Sequence, residues 1–136
     1  MIEFLPYMMV GGGAVITSTP ILFLLFLGLN EILNKVSKNI IQQPRPKDCA
    51  PYMKKSYGMP SGHSQVAGFA AAFVWEEATR MQKMILILAA AVTMTQRVMT
   101  HCHSVAQVFA GVTVGVVFGL LAFKIVSQIK DKNLRI

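Results

Sequence analysis

The chain reads as long apolar runs separated by short polar joints. Residues 21–29 are continuously apolar, and Ile32, Leu33, Val36, Ile40 and Ile41 then keep helical spacing. Thr19 as N-cap with Pro20 at the first helical position sets the start. Pro44 and Pro46 set the stop. The pattern predicts one membrane helix over Pro20–Ile41 whose second half leaves lipid for protein or headgroups. Asn30, Glu31 and Asn34 would be costly against lipid, so they are expected to face other helices. A polar loop over residues 42–60 follows, carrying Arg45, Lys47, Asp48, Lys54 and Lys55; loops of this length without regular structure are often functional. Ser61 is the expected N-cap of a helix over 62–79 rich in small residues, which lets membrane helices approach closely. Glu76, Glu77, Arg80 and Lys83 mark a turn, read as the end of that helix. Further apolar helices are predicted over 84–100 and 103–126. A basic tail over 124–136 carries Lys124, Lys130, Lys132 and Arg135 against Asp131.

The start is ambiguous. Residues 4–18 are apolar but fewer than the roughly 20 needed to span a hydrocarbon core, and Gly11, Gly12 and Gly13 interrupt them. Residues 1–19 therefore read as a short span, a re-entrant segment or a disordered start. The expected fold is all-α: a multi-pass transmembrane bundle of four to five helices forming one domain over 1–136, with its active site at one membrane face.

Composition supports lipid as the solvent. Hydrophobic residues make up 54% and charged residues 14% of the 136 residues, against about 25% charged in a soluble domain. The net charge of +7 comes from 13 Lys and Arg against 6 Asp and Glu. These cations sit in short stretches between apolar runs, which favours anionic lipid or phosphate over nucleic acid as partner. Cys49 and Cys102 are too few for a disulfide framework; two free thiols are expected unless their loops meet outside the cytoplasm. No basic residue precedes Lys35, so a cleaved signal is not expected and an uncleaved anchor is. Loop order puts residues 42–59 and 100–103 on one membrane face. The basic tail predicts that the opposite face is cytoplasmic.

Three stretches thus meet at one face: Lys38 with Arg45, Ser61-Gly62-His63, and Arg97 with His103. They supply three fixed cations, two imidazoles and a helix N-terminus. Phosphoryl transfer needs these groups. Arg and Lys stabilise phosphoryl oxygens, and a helix N-terminus adds N–H donors. Gly62 removes a Cβ where backbone approaches phosphate. One histidine can attack phosphorus and another can protonate the leaving oxygen. No acidic cluster exists to hold magnesium, so no metal or other cofactor is expected. His101-Cys102-His103 lacks the usual zinc-ligand spacing, and His101 reads as a loop residue. His103 and Gln107, if both helical, share a face. The Gln107 oxygen would then accept from Nδ1–H of His103 and leave Nε2 as nucleophile. The same ridge continues through Gly111, Gly115 and Gly119, a small-residue face for close helix packing.

These motifs resemble the type-2 phosphatidic acid phosphatase superfamily of membrane lipid phosphatases. Lys38, six residues and Arg45-Pro46 form the first motif; Pro60-Ser61-Gly62-His63 the second; Arg97, five residues, His103, three residues and Gln107 the third. The resemblance implies that Lys38, Arg45, Ser61, Gly62 and Arg97 bind phosphate, that His103 is the nucleophile and His63 the general acid, and that no metal takes part. Two positions depart from the pattern: Gln96 stands where serine is usual and Gln107 where aspartate is usual. Glutamine there, with Gln43-Pro44-Arg45-Pro46 and Pro60-Ser61-Gly62-His63-Ser64-Gln65, resembles the dolichyl-diphosphatase branch. The implied substrate is a polyprenyl or dolichyl diphosphate. The implied place is a membrane, that of the endoplasmic reticulum in a eukaryote, with the site on the lumenal or extracytoplasmic face. The alternatives are a phosphatase for phosphatidate or another lipid monophosphate, and a membrane binding protein of the same fold with weak or no turnover. Neither the chain nor the resemblance fixes an oligomeric state.

Overall fold

The computed structural model describes residues 4–134. Its helices are α1 (Leu5–Ile16), α2 (Pro20–Ile41), α3 (Gly62–Val74), α4 (Arg80–Met99) and α5 (Val105–Leu134), with a 3-10 turn at Pro51–Lys55. No strand occurs among the described residues. The chain is all-α.

Helix α3 is the axis of the arrangement, and α1, α2, α4 and α5 all pack on it. Its body is buried almost without interruption from Ser64 to Val74. Phe69 stacks on Phe23 of α2 and Phe73 meets it edge-on, at ring separations of 5.6 and 5.2 Å, and Phe118 and Phe123 of α5 close the cluster. Helices α2 and α5 are long and apolar enough to cross a membrane.

The ambiguous start resolves into α1, a helix of 12 residues and so about 18 Å long, too short to cross alone. Gly13 makes room for the tip of the Phe23 ring: a Cβ there would meet Phe23 Cζ at 2.8 Å. Met1 to Glu3, and Arg135 of the basic tail, lie outside the described residues.

Helix α2 has the predicted limits, but Thr19 does not cap it through its side chain. Its hydroxyl lies 3.3 Å from that of Thr17 instead. The helix ends in a left-handed Gln42 (φ 52°), whose N–H returns to the Lys38 carbonyl. As expected, Asn30 and Asn34 face inward and are buried.

Four predicted limits change: the end of α3, the start of α4 (Arg80, not 84), and both ends of α5, which runs on to Leu134 and not 126. Helix α3 stops at Val74, not 79, because the chain turns before Thr79 starts α4 with a capping box: Thr79 Oγ1 accepts from Gln82 N–H and Gln82 Oε1 from Thr79 N–H. Ser61 occupies the N-cap position of α3 without a side-chain cap bond. Helix α5 begins at Val105, which leaves His103 in the preceding loop. Ser104 and Gln107 set that limit, since Ser104 N–H donates to Gln107 Oε1 (3.1 Å) and Gln107 N–H to Ser104 Oγ (3.3 Å). Glu77 is more than a helix end: its carboxylate accepts from the N–H and hydroxyl of Ser18, and Lys130 of α5 donates to that hydroxyl at 3.0 Å. This polar knot closes the end of the bundle opposite the histidines.

Candidate active site

The histidine end is assembled by backbone first. Ser61 N–H donates to the Gln107 carbonyl (3.0 Å) and His103 N–H to the Arg97 carbonyl (3.1 Å). These bonds bring the start of α3, the end of α4 and the start of α5 together. The glycine ridge of α5 allows it: a Cβ on Gly111 would fall on the Ser61 carbonyl oxygen, and one on Gly115 on that of Gln65. Behind α3, Gln65 ties α2 in place. Its Nε2 donates to the backbone and side-chain oxygens of Asn30 (2.9 and 3.0 Å), and its Oε1 accepts from Asn34 Nδ2 (2.8 Å). Lys38 follows one helical turn after Asn34.

The result is a cavity of about 310 Å³ whose wall includes Lys38, Arg45, Gly62, His63, Arg97 and His103. Six of the eight predicted site residues therefore share one space, although they come from three separate stretches. Glu31, Lys35 and Tyr7 line it too. The Tyr7 ring meets that of His63 edge-on at 5.9 Å. Ser61 and Gln107, both buried, stand behind the wall. Ser64 Oγ donates to Ser61 Oγ at 3.1 Å.

The geometry defines the state of His103. Arg45 Nη1 lies 3.0 Å from its Nε2. A guanidinium only donates, so Nε2 is the acceptor and the ring proton sits on Nδ1. Nδ1 faces Gln107 Oε1 at 3.3 Å, and the Gly58 backbone also hydrogen-bonds the ring. The relation proposed for a helical pair thus survives although His103 is not helical. The capping glutamine turns back over the first turn of α5 to reach it. Burial, then the nearby Arg45 and Lys38 cations, push the His103 pKa down to about 3, against opposing hydrogen bonds from Gly58 and Gln107. The ring is neutral at physiological pH, as a nucleophile must be.

Arg45 is held on several sides. Its Nε and Nη2 donate to the carbonyl (3.1 Å) and hydroxyl (3.0 Å) of Ser56, and Nη1 also donates to the Cys102 carbonyl (3.0 Å). With the His103 contact, four of the five N–H donors of a guanidinium are engaged. Arg97 is buried, and its Nε donates to Gln96 Oε1 at 2.7 Å. Gln96, a departure from the motif pattern, thus supplies the arginine with an acceptor. Cys49 and Cys102 are free thiols. His101 is exposed, has a left-handed backbone (φ 55°) and lies outside the cavity.

A family model described as the PAP2 superfamily matches residues 19–131. The chain belongs to the PAP2 superfamily. Among PAP2 relatives, a dolichyldiphosphatase from Saccharomyces cerevisiae is 36% identical over 122 residues, covering 78% of this chain and 51% of its own length. Dolichyldiphosphatase 1 from Dictyostelium discoideum is 34% identical over 120 residues, covering 77% of this chain and 52% of its own. The chain therefore spans about half the length of these relatives. A solved transmembrane PAP2-type phosphatidylglycerolphosphate phosphatase from Bacillus subtilis superposes with a TM-score of 0.72 at 26% identity, over 92% of this chain and 68% of that one. The chain is thus a membrane protein with a PAP2 fold, and its relatives are lipid phosphatases.

Sequence reasoning missed Gln43, Ser56, Gly58 and Tyr7. Of the contacts around His103, the Ser104–Gln107 capping box had a readable signal, the S-x-x-Q spacing.

Proposed function

We propose that the chain is a lipid phosphatase that releases phosphate from a polyprenyl or dolichyl diphosphate without a metal. One observation carries the reading: Lys38, Arg45, Arg97, Gly62 and both motif histidines line a single cavity. The terminal phosphate enters between the cations and takes over the Arg45 Nη1 donor from His103 Nε2, and the freed lone pair of neutral His103 attacks phosphorus. The N–P bond forms as the bridging P–O bond breaks. His63 gives its proton to the leaving oxygen, releasing the polyprenyl monophosphate. His63 then takes a proton from water, which attacks phosphohistidine and frees inorganic phosphate and neutral His103. Lys38, Arg45 and Arg97 hold the phosphoryl oxygens and stabilise their charge in place of a metal. The relatives named as dolichyldiphosphatases support the choice of a diphosphate substrate.

In this reading the bundle crosses the membrane four to five times and the cavity opens on the lumenal or extracytoplasmic side. Protein in detergent with excess EDTA is expected to release phosphate from polyprenyl diphosphate, and His103→Ala is not. Activity that persists in His103→Ala, or that EDTA abolishes, contradicts the mechanism. A panel with phosphatidate tests the monophosphate alternative. A thiol label on Lys54→Cys that reacts only from the cytoplasm reverses the orientation.

A further inference from the structure

The Gln107 carboxamide makes more contacts than orienting one imidazole requires. Its Oε1 receives Ser104 N–H (3.1 Å) and faces His103 Nδ1 (3.3 Å). Its Nε2 donates to the Pro44 carbonyl (2.8 Å) and to Gln43 Oε1 (2.9 Å). The backbone partners fix which end is which, because Ser104 N–H only donates and the Pro44 carbonyl only accepts. One amide therefore joins the histidine loop to the segment that leads into Arg45.

Gly58 completes the enclosure. Its N–H donates to the Gln43 carbonyl at 2.7 Å. A Cβ on it would stand 2.5–2.7 Å from the Gln107 carboxamide. No glycine here has a positive φ, so Gly58 serves space and not backbone conformation. The aspartate usual at position 107 is one methylene shorter and, when ionised, only accepts. It would set a negative charge against the Pro44 carbonyl and Gln43 Oε1 with no donor for either.

We infer that Gln43 is a positioning residue, which with Gln107 clamps the Arg45 segment against His103, and that the clamp requires an amide at position 107. The inference rests on the phosphatase reading above. Gln43 contributes only an acceptor to Gln107, so glutamate can replace it and a hydrocarbon cannot. Gln43 is exposed, so changing it removes a contact without opening a core.

The test compares full-length wild type, Gln43→Leu, Gln43→Glu and Gln107→Asp in detergent. It reads orthovanadate affinity, kcat and KM on polyprenyl diphosphate, and melting temperature. Gln43→Leu is expected to weaken orthovanadate binding and lower kcat by about five- to tenfold each, with melting temperature little changed. Gln43→Glu is expected to stay near wild type, and Gln107→Asp to lose more than Gln43→Leu. The inference is overturned if Gln43→Leu matches wild type, if Gln43→Glu is as damaged as Gln43→Leu, or if Gln107→Asp is as active as wild type. Should Gln107→Asp fail to fold, the Gln43 pair decides alone. Wild type that binds orthovanadate but hydrolyses no lipid phosphate refutes the phosphatase reading, and orthovanadate affinities then decide the clamp. Wild type that binds no orthovanadate refutes both.

Discussion

Helix α5 has two dissimilar sides. Toward α3 it presents Gly111, Gly115 and Gly119, each so close to α3 backbone that a single methyl would collide. Toward α4 it leaves an apolar groove of about 460 Å³, lined by Ala90, Ala91, Met94, Val112, Val116 and Leu120 among others. A second apolar hollow of about 350 Å³ shares Ala91 and Met94 with it. The close side carries the site: Ser61 and Gln65, which Gly111 and Gly115 touch, begin the helix that faces the cavity. The open side holds no ionisable residue. Precision is concentrated where two polar motifs must register within a fraction of an ångström, and slack is left where only apolar side chains meet.

Substitutions break this contrast in graded steps. Gly115→Val should have the largest effect, because its side chain has nowhere to go but into the Gln65 carbonyl. Displacing α3 by about 1 Å should lower phosphate release about 100-fold, measured on folded, monodisperse protein. Gly58→Ala should cost about tenfold in kcat, since it pushes the Gln107 amide without moving a helix. A kcat equal to wild type would mean that the amide has room to yield.

Between pH 7 and 5, acid should act mainly at the site end. His103 is held down to about 3 by burial and the adjacent cations, while in the unfolded chain it titrates near 6.5. The folded state then binds fewer protons, so stability is full above about pH 6.5 and declines as pH falls toward 3. Melting temperature should drop between pH 7 and 5, while His103 itself remains unprotonated. A smaller drop in His103→Gln assigns the effect to this ring. The least effect belongs to Ala91→Leu, which extends into the open groove: stability should move by no more than about 0.5 kcal/mol, and turnover should hold. A large loss there would show that the groove is part of the working site.

Periodicity and prolines made α2 readable to the residue, because local chemistry decides both ends. The motif spacing made six cavity residues readable, because each motif is short and lies at a helix end. The end of α3 and the loop position of His103 escape this reading, since a turn over residues 75–78 precedes the Thr79 cap of α4 and the Ser104–Gln107 cap starts α5 only after His103. Thr19 and Ser61 have cap chemistry, but Thr17 and Ser64 are the hydroxyl partners beside them. Gln43 stands in the Gln43-Pro44-Arg45-Pro46 stretch, but its contact is not legible there: its partner is 64 residues away, and no period links a loop to a distant helix start. Gln107 was noticed as a departure, but its donor side acquires meaning only beside Pro44.

The shortness of α3 has a consequence for depth. Its 13 residues measure about 20 Å, while a hydrocarbon core is about 30 Å thick. In the proposed multi-pass arrangement, with the turn after Val74 at one boundary, the start of α3 would lie about 10 Å beneath the other, or the bilayer would thin around it. The cavity would then be a recess below the headgroup plane. A lipid diphosphate would reach it by sideways entry from the leaflet, its charge sinking toward the cations while its tail stays in the membrane.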